Sequence, residues 1–243
     1  MHDTQTLLSA WRRQRAALRQ MLAAGDKAPG WEKAFALKDR TLRCVDEGTS
    51  GGLHSAGSGI YFGLEEAVRR VRAAGVDGIT SHENCGATLA WCGQNGMDAG
   101  EAEKVAQEWA RKLAQAAGVA YRGYLSYGEM LRKDEFHYAV AVYYDGTGRF
   151  NPAAAPDLPA GFTVSRRYFD PHDLELCLGI ALGEYGFGER FTQSEPLYAV
   201  VIGDEREPQF SADRLAAELE PRLKKFNGRV AIARFPLPVF DRS

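Results

Sequence analysis

Two short apolar segments, at 41–45 and 78–81, flank a stretch at 64–74 whose apolar residues recur at helical spacing. The first segment runs into a glycine-rich loop, and Gly75 ends the helical stretch. Strand, helix and strand in this order predict a parallel βαβ unit, because a helical crossover returns the second strand in the direction of the first. We therefore expect an α/β fold with a mainly parallel sheet flanked by helices.

The rest of the 243-residue chain continues the alternation of strands and helices, and neither an internal repeat nor a linker is visible. This favours a single α/β domain over 1–243, with an N-terminal arm at 1–25, a core at 41–150 and a C-terminal elaboration at 151–243. The further elements predicted are helices at 85–91, 99–117 and 211–225 and strands at 136–144, 197–203 and 229–235.

The arm is an amphipathic helix at 5–24, with apolar residues mainly three or four apart and four arginines between them. Residues 1–43 carry nine basic and four acidic side chains, whereas the whole chain has a net charge of −2. The arm therefore predicts either a clasp on a second, acidic copy or a helix lying on its own domain. The sequence leaves both alternatives open.

The balanced charge argues against a nucleic-acid surface. No apolar run approaches the roughly 20 residues of a membrane span, and the first ten residues lack the pattern of a secretory signal. Four cysteines are too few for a disulfide scaffold. We therefore expect a cytoplasmic protein whose thiols are ligands, nucleophiles or core residues.

A thiol and a carboxylate, Cys44 and Asp46, follow the first predicted strand, and His82 and Cys85 follow the second. The carboxyl ends of neighbouring parallel strands are where open α/β sheets build their sites, so these side chains are expected to converge. Two thiolates and one imidazole suit zinc, and three protein ligands leave a fourth position open. The alternative is a hydrogen-bonded strand-end histidine beside a cysteine that only fills the core.

Four motifs follow one another within 41–90: C-V-D at 44–46, H-S-A-G-S-G at 54–59, L-E-E-A-V at 64–68 and G-V-D-G-I-T-S-H-E-N-C-G-A at 75–87. This stretch resembles the β-carbonic anhydrases, which have a C-x-D motif, a loop, a helix opening and a strand leading into H-x-x-C-G in the same order. The later strand at 141–145, which ends in Y-D, is also similar, and the unusual C-terminal part resembles the limiting-CO2-inducible branch of this superfamily.

The resemblance implies a Zn²⁺ ion held by Cys44, His82 and Cys85, and a carbonic anhydrase that interconverts CO2 and bicarbonate by attack of zinc-bound hydroxide. Asp46 would orient that hydroxide or, in a closed state, occupy the fourth zinc position; as a simpler alternative it caps a turn. The family also implies a homodimer or a higher homo-oligomer with the site near the subunit boundary.

One departure from the family concerns Asp46. Where the family motif continues with serine and arginine, this chain has Glu47 and Gly48, so the arginine that pairs with the aspartate is missing. Arg43 is a poor substitute, because neighbouring side chains of a strand point to opposite faces. The other candidates, among which the sequence does not choose, are Arg149, Arg166, Arg167 and Arg190.

Two further histidines are candidate proton relays, since imidazole titrates near neutral pH. His54 lies in the loop and is otherwise a plain loop residue, and His137 begins a predicted strand and is otherwise structural. Cys92 is two helical turns, about 10 Å, from Cys85 and is rejected as a ligand. Cys177 is expected in the core. Five tyrosines are expected to line either an apolar pocket suited to CO2 or the packing of the core or a subunit interface: Tyr121, Tyr124, Tyr127, Tyr143 and Tyr144.

Three other functions fit the same residues. The same site could hydrolyse a sulfur analogue of CO2, COS or CS2, because the linear shape and electrophilic carbon are shared. A non-catalytic protein that binds metal or bicarbonate would explain the missing arginine. A metal-free α/β protein would hold no stoichiometric zinc.

Overall fold

The computed structural model describes residues 4–35, 38–47, 51–130, 139–183 and 190–237. It is an α/β protein with parallel sheets flanked by helices and with an N-terminal helix, as predicted. Its described helices are α1 (Thr4–Ala24), α2 (Leu64–Ala73), α3 (Gly86–Gln94), α4 (Ala102–Ala117), α5 (Pro171–Ala181) and α6 (Ala212–Leu223). Its described strands are β1 (Thr41–Cys44), β2 (Leu53–Ser55), β3 (Gly78–His82), β4 (Ala120–Leu125), β5 (Ala141–Asp145), β6 (Gly161–Ser165), β7 (Leu197–Asp204) and β8 (Val230–Leu237).

The strands form two four-stranded parallel sheets with the same order, β2-β1-β3-β4 and β6-β5-β7-β8. The register also corresponds: Cys44, at the end of β1, pairs with Ser55, and Asp145, at the end of β5, pairs with Ser165. No repeat is visible in the sequence, because the two halves share a pattern of elements and not a pattern of residues. The topology therefore repeats where the sequence does not.

Three strands were not predicted: β2, β4 and β6. β2 has only three residues, too few for a periodic pattern, and lies in a segment that its glycines marked as a loop. Of the strand predicted at 136–144, the structure has Ala141–Asp145, and 131–138 lie outside the described residues. The helix predicted from 99 begins at Ala102, after a short turn of 3₁₀ helix.

The polar residues of α2 are placed as the helix dipole favours. Glu65 and Glu66 lie in its first turn, and Arg70 and Arg72 lie in its last. Its buried side, which includes Val71, faces the core. α2 thereby connects the loop after β2 to β3 and returns the chain to the first sheet.

The N-terminal helix α1 packs on its own chain. Trp11 contacts Phe191 with ring centroids 5.3 Å apart, and the guanidinium of Arg15 donates to the carbonyl of Pro196 at 2.7 Å. Leu18 is buried in the common core. Within this chain the helix therefore lies on its own domain, and a clasp on a second copy stays a prediction. None of the described helices combines the length and apolarity needed to cross a bilayer.

Replacing Leu18 with alanine is expected to lower the free energy of unfolding by about 2 to 3 kcal/mol, because it opens a cavity under α1. Leu8 on the same helix is 47% exposed, so Leu8→Ala is a matched control that should cost less than about 0.5 kcal/mol. Urea unfolding of both variants measures the difference. Equal effects would show that α1 does not stabilise the chain through this packing.

Candidate metal centre

Adjacent strands bring the three predicted ligands together. β1 ends at Cys44 and β3 ends at His82, and the two strands pair in parallel, so their carboxyl ends lie side by side. Cys85 then caps the start of α3. The ligand atoms of the three residues all lie within 4.8 Å of one another, and all three residues are buried. The predicted cluster is therefore present and could hold a metal ion.

Both sulfur atoms are surrounded by hydrogen-bond donors. They lie 3.6 Å apart. The Cys44 sulfur accepts from the amides of Asp46 at 3.5 Å and Gly57 at 3.3 Å. The Cys85 sulfur accepts from the amide and the hydroxyl of Thr88, at 3.4 and 3.2 Å. Such donors stabilise negative charge on sulfur, the form that binds metals.

The imidazole of His82 is oriented with one nitrogen toward the cluster. Its Nδ1 lies 2.9 Å from the carbonyl oxygen of Glu83, which can only accept, so Nδ1 carries the hydrogen. Its Nε2 is buried and has no hydrogen-bond partner in the described part of the chain. An imidazole held in this way presents the Nε2 lone pair, as metal-ligating histidines do.

The three groups perturb one another strongly. Burial raises the pKa of Cys44 well above its usual value, and the adjacent Cys85 adds to this effect. The hydrogen bond from Cys44, together with the charge on His82, lowers the pKa of Cys85. Burial disfavours the charged form of His82, but the charge on Cys85 outweighs it and raises the pKa of His82 to about 9. A metal ion binding here would therefore displace protons.

Asp46 is buried and ties the turn after β1 to α3. Its Oδ2 accepts a hydrogen bond of 2.7 Å from the amide of Gly86, the first residue of that helix. Its charge also acts on the pKa of all three cluster residues. Asp46 therefore lies beside the cluster, where the sequence placed it.

Glu47, which differs from the serine of the family motif, is a structural residue. It is fully buried, and its two carboxylate oxygens accept from the guanidinium of Arg43 and from the hydroxyl of Thr80, each at 2.6 Å. Arg43 therefore has Glu47 as an ion-pair partner, in agreement with its rejection as a partner for Asp46. Gly48 lies outside the described residues. An i,i+4 spacing of Arg43 and Glu47 was the signal available in the sequence.

Three of the four other candidate arginines have side-chain contacts away from Asp46. Arg166 pairs with Glu218 at 2.9 Å, and Arg167 pairs with Glu207 at 2.6 Å. Arg190 lies over the ring of Trp11 at 5.9 Å. Of Arg149, only the backbone contact to Thr147 is described. A partner for Asp46 among these four stays a prediction.

His54 lies on β2 and not in a loop, so its predicted setting was wrong. It pairs with Arg43 across the strands, which places it on the sheet face opposite to Cys44. It is fully buried, and its Nδ1 accepts from the amide of Thr163 at 3.3 Å, linking β2 to β6. A relay role for His54 stays a prediction. His137 lies outside the described residues.

A left-handed turn follows β2 and packs on the cluster. Gly57, Ser58 and Gly59 have φ of 55°, 50° and 87°, a region that favours glycine. A Cβ at Gly57 would lie 2.8 Å from the side chain of Ile60. The hydroxyl of Ser58 donates to the carbonyl of Thr80 at 2.9 Å and fixes the turn. This conformation directs the Gly57 amide to the Cys44 sulfur.

The remaining candidates lie outside the cluster. Cys92 and Cys177 are buried free thiols and do not belong to the metal-binding group. Tyr143 is fully buried in the core, which is one of the two alternatives for the tyrosines. Tyr121 and Tyr127 are partly buried near the strand ends, where their hydroxyls contact Ser81 and Asn84. Those contacts measure 2.8 and 2.5 Å.

The second sheet has no corresponding cluster among the described residues. Asp145, the last residue of β5, occupies the position that Cys44 has in β1. Asp145 pairs with Ile202 of β7, so the next residue, Gly203, occupies the position that His82 has in β3. A Cβ at Gly203 would lie 2.1 Å from the amide nitrogen of Ala212, so the start of α6 fills this space. In the second sheet, a glycine packed against backbone therefore occupies the position of His82.

Comparison of this chain with protein-family models, curated proteins and solved structures gave no match.

Proposed function

We propose that this protein is a zinc-dependent carbonic anhydrase that interconverts CO2 and bicarbonate. The observation that carries the proposal is the buried Cys44–His82–Cys85 cluster with Asp46 beside it, at the carboxyl ends of two adjacent parallel strands. The motif resemblance over 41–90 supports the same activity independently of the coordinates.

The donor set fits zinc. Two thiolates and a neutral imidazole are ligands that zinc prefers, and hard cations such as Mg²⁺ or Ca²⁺ prefer oxygen. The orphaned Nε2 of His82 supports this choice, because a buried polar atom without a partner is costly unless a ligand satisfies it. Three protein ligands leave one position for a reactant, which is typical of catalytic zinc sites.

Zinc, when bound, supplies a Lewis acid that makes hydroxide available near neutral pH, as carbonic anhydrase illustrates among known enzymes. Asp46 then acts as a fixed acceptor. Because the Gly86 amide holds its Oδ2, the carboxylate is oriented before the reactants arrive. It would accept a hydrogen bond from the hydroxide that zinc supplies and so orient this nucleophile toward CO2.

Burial of the cluster favours a small substrate. Cys44, His82 and Cys85 are all buried, and the left-handed turn at Gly57 packs directly on the Cys44 sulfur. The packing around the cluster leaves little space for a large reactant, whereas CO2 and bicarbonate have only three and four heavy atoms. All four cysteines are buried free thiols, which is typical of proteins in a reducing compartment. We therefore propose that the protein is cytoplasmic.

The decisive experiment is stopped-flow CO2 hydration by the zinc-loaded protein from about pH 6.5 to 9, a range that brackets the ionisation of water on zinc. We expect activity that rises with pH. No activity at any pH, with one zinc per chain, would reject the proposal. The same protein would then be assayed with COS and CS2, and failure there would leave a non-catalytic metal-binding protein.

Asp46→Asn is expected to reduce kcat by about 100-fold or more while zinc stays bound, because the amide accepts hydrogen bonds more weakly than the carboxylate. Asp39→Asn is the matched control. Asp39 lies just before β1 and pairs with Arg43 at 3.2 Å, so its replacement should leave kcat nearly unchanged. Kinetics equal to wild type across pH for Asp46→Asn would make Asp46 only a turn residue.

A further inference from the structure

The hydrogen-bond donors around the two cluster sulfur atoms are of two kinds, backbone amides and one side-chain hydroxyl. Four described donors reach them from outside the Cys44–His82–Cys85 cluster, and three are backbone amides, those of Asp46, Gly57 and Thr88. Any non-proline residue supplies a backbone amide. The fourth donor is the Thr88 hydroxyl, at 3.2 Å from the Cys85 sulfur. It is the one donor of this group that depends on the identity of a side chain.

The position of Thr88 directs its hydroxyl to the Cys85 sulfur. The residue is almost fully buried in the first turn of α3, so water does not compete for the hydroxyl. A threonine in a helix commonly donates to a carbonyl of the preceding turn. Here the hydroxyl contacts the sulfur three residues back, and the backbone of the left-handed turn lies alongside. A Cβ at Gly57 would lie 3.4 Å from the Thr88 Oγ1.

We infer that Thr88 is a positioning residue for the metal site: its hydroxyl fixes the Cys85 sulfur and draws electron density from it. The inference rests on the proposed zinc site. A thiolate that accepts a hydrogen bond donates less charge to its metal, and the metal becomes a stronger Lewis acid. A fixed sulfur also lowers the conformational cost of closing the ligand set.

The test is Thr88→Val, which keeps the shape and the backbone amide of the residue and removes only the hydroxyl. Two readouts avoid catalysis: the dissociation constant of Zn²⁺ in competition with a chelator, and the thiolate-to-metal charge-transfer band of the Co²⁺-substituted protein. We expect zinc binding about tenfold weaker, the lower end of the range for groups that support metal ligands. The Co²⁺ band should move to lower energy, since the sulfur becomes richer in electrons.

Thr88→Ser restores a hydroxyl and should return both readouts toward wild type. The matched control is Thr163→Val in the second sheet, a buried threonine whose hydroxyl has no hydrogen-bond partner among the described residues. It should leave both readouts unchanged. An unchanged dissociation constant and band for Thr88→Val, or a shift that Thr163→Val reproduces, would overturn the inference.

The outcomes separate this inference from the proposed reaction. If the wild type binds metal and Thr88→Val shifts the band, the role of Thr88 stands even where CO2 hydration is absent. If CO2 hydration is present and the band does not move, the activity stands and the role of Thr88 falls. A wild type that binds neither Zn²⁺ nor Co²⁺ would overturn both.

Discussion

Cys85→Ser is expected to reduce bound zinc from one ion per chain to none after dialysis against a weak chelator. A serine hydroxyl is a poor zinc ligand at neutral pH, and the variant keeps only Cys44 and His82 from the cluster. Metal analysis of the dialysed protein measures the result. Wild-type protein should also lose thermal stability in a strong chelator, because an ion that binds only the folded state stabilises it. Cys85→Ser should lack this sensitivity.

Cys92→Ser is the matched control, because Cys92 is also buried and lies on the same helix, α3, but outside the cluster. It should keep one zinc per chain. Retention of zinc by Cys85→Ser would reject the ligand assignment.

The metal cluster could be predicted from sequence because few physical steps separate it from the residues. A strand, a helix and a strand fix two adjacent carboxyl ends, and Cys44 and His82 are the last residues of β1 and β3. Cys85 follows within one turn. The convergence depends on local elements and on one parallel pairing, both of which leave a clear pattern in the sequence.

The surroundings of the cluster could not be predicted in the same way. Glu47 accepts from Thr80, 33 residues away, and this contact depends on the registration of β1 beside β3. β2 is too short for a periodic signal, so His54 was placed in a loop instead of on a buried strand. Contacts between side chains of separate elements are set by packing, and no sequence period reports them.

The second half illustrates the same limit. Its strand order repeats that of the first half, yet the residues at its strand ends form a different network. Asp145 is buried, and its carboxylate accepts from the amide and hydroxyl of Thr147 and from the amide of Phe150. A carboxylate satisfied by its own turn is not presented to a ligand. Equal topology therefore does not imply an equal site.

Arg70→Met is expected to lower the free energy of unfolding by about 4 kcal/mol. Removing one partner from a buried ion pair costs about 3 to 5 kcal/mol, because the other charge is left buried and uncompensated. The Arg70 guanidinium joins α2 to the start of α5. It pairs with Glu66 at 2.7 Å, with Asp170 at 2.9 Å and with Asp173, and it lies 4.3 Å from the ring centroid of Phe62. Methionine keeps an apolar side chain of similar length but leaves the buried Asp173 without its cation.

Arg69→Met is the matched control, because the Arg69 side chain is 68% exposed and its one ion pair among the described residues is with Glu66. It should cost about 0 to 1 kcal/mol, as exposed ion pairs do. Urea unfolding of both variants measures the difference. The double variant Arg70→Met/Asp173→Asn should recover part of the loss, because it removes the carboxylate that the single variant leaves unpaired. An Arg70→Met cost no larger than that of Arg69→Met would show that this network does not hold α5 against the α2 half of the chain.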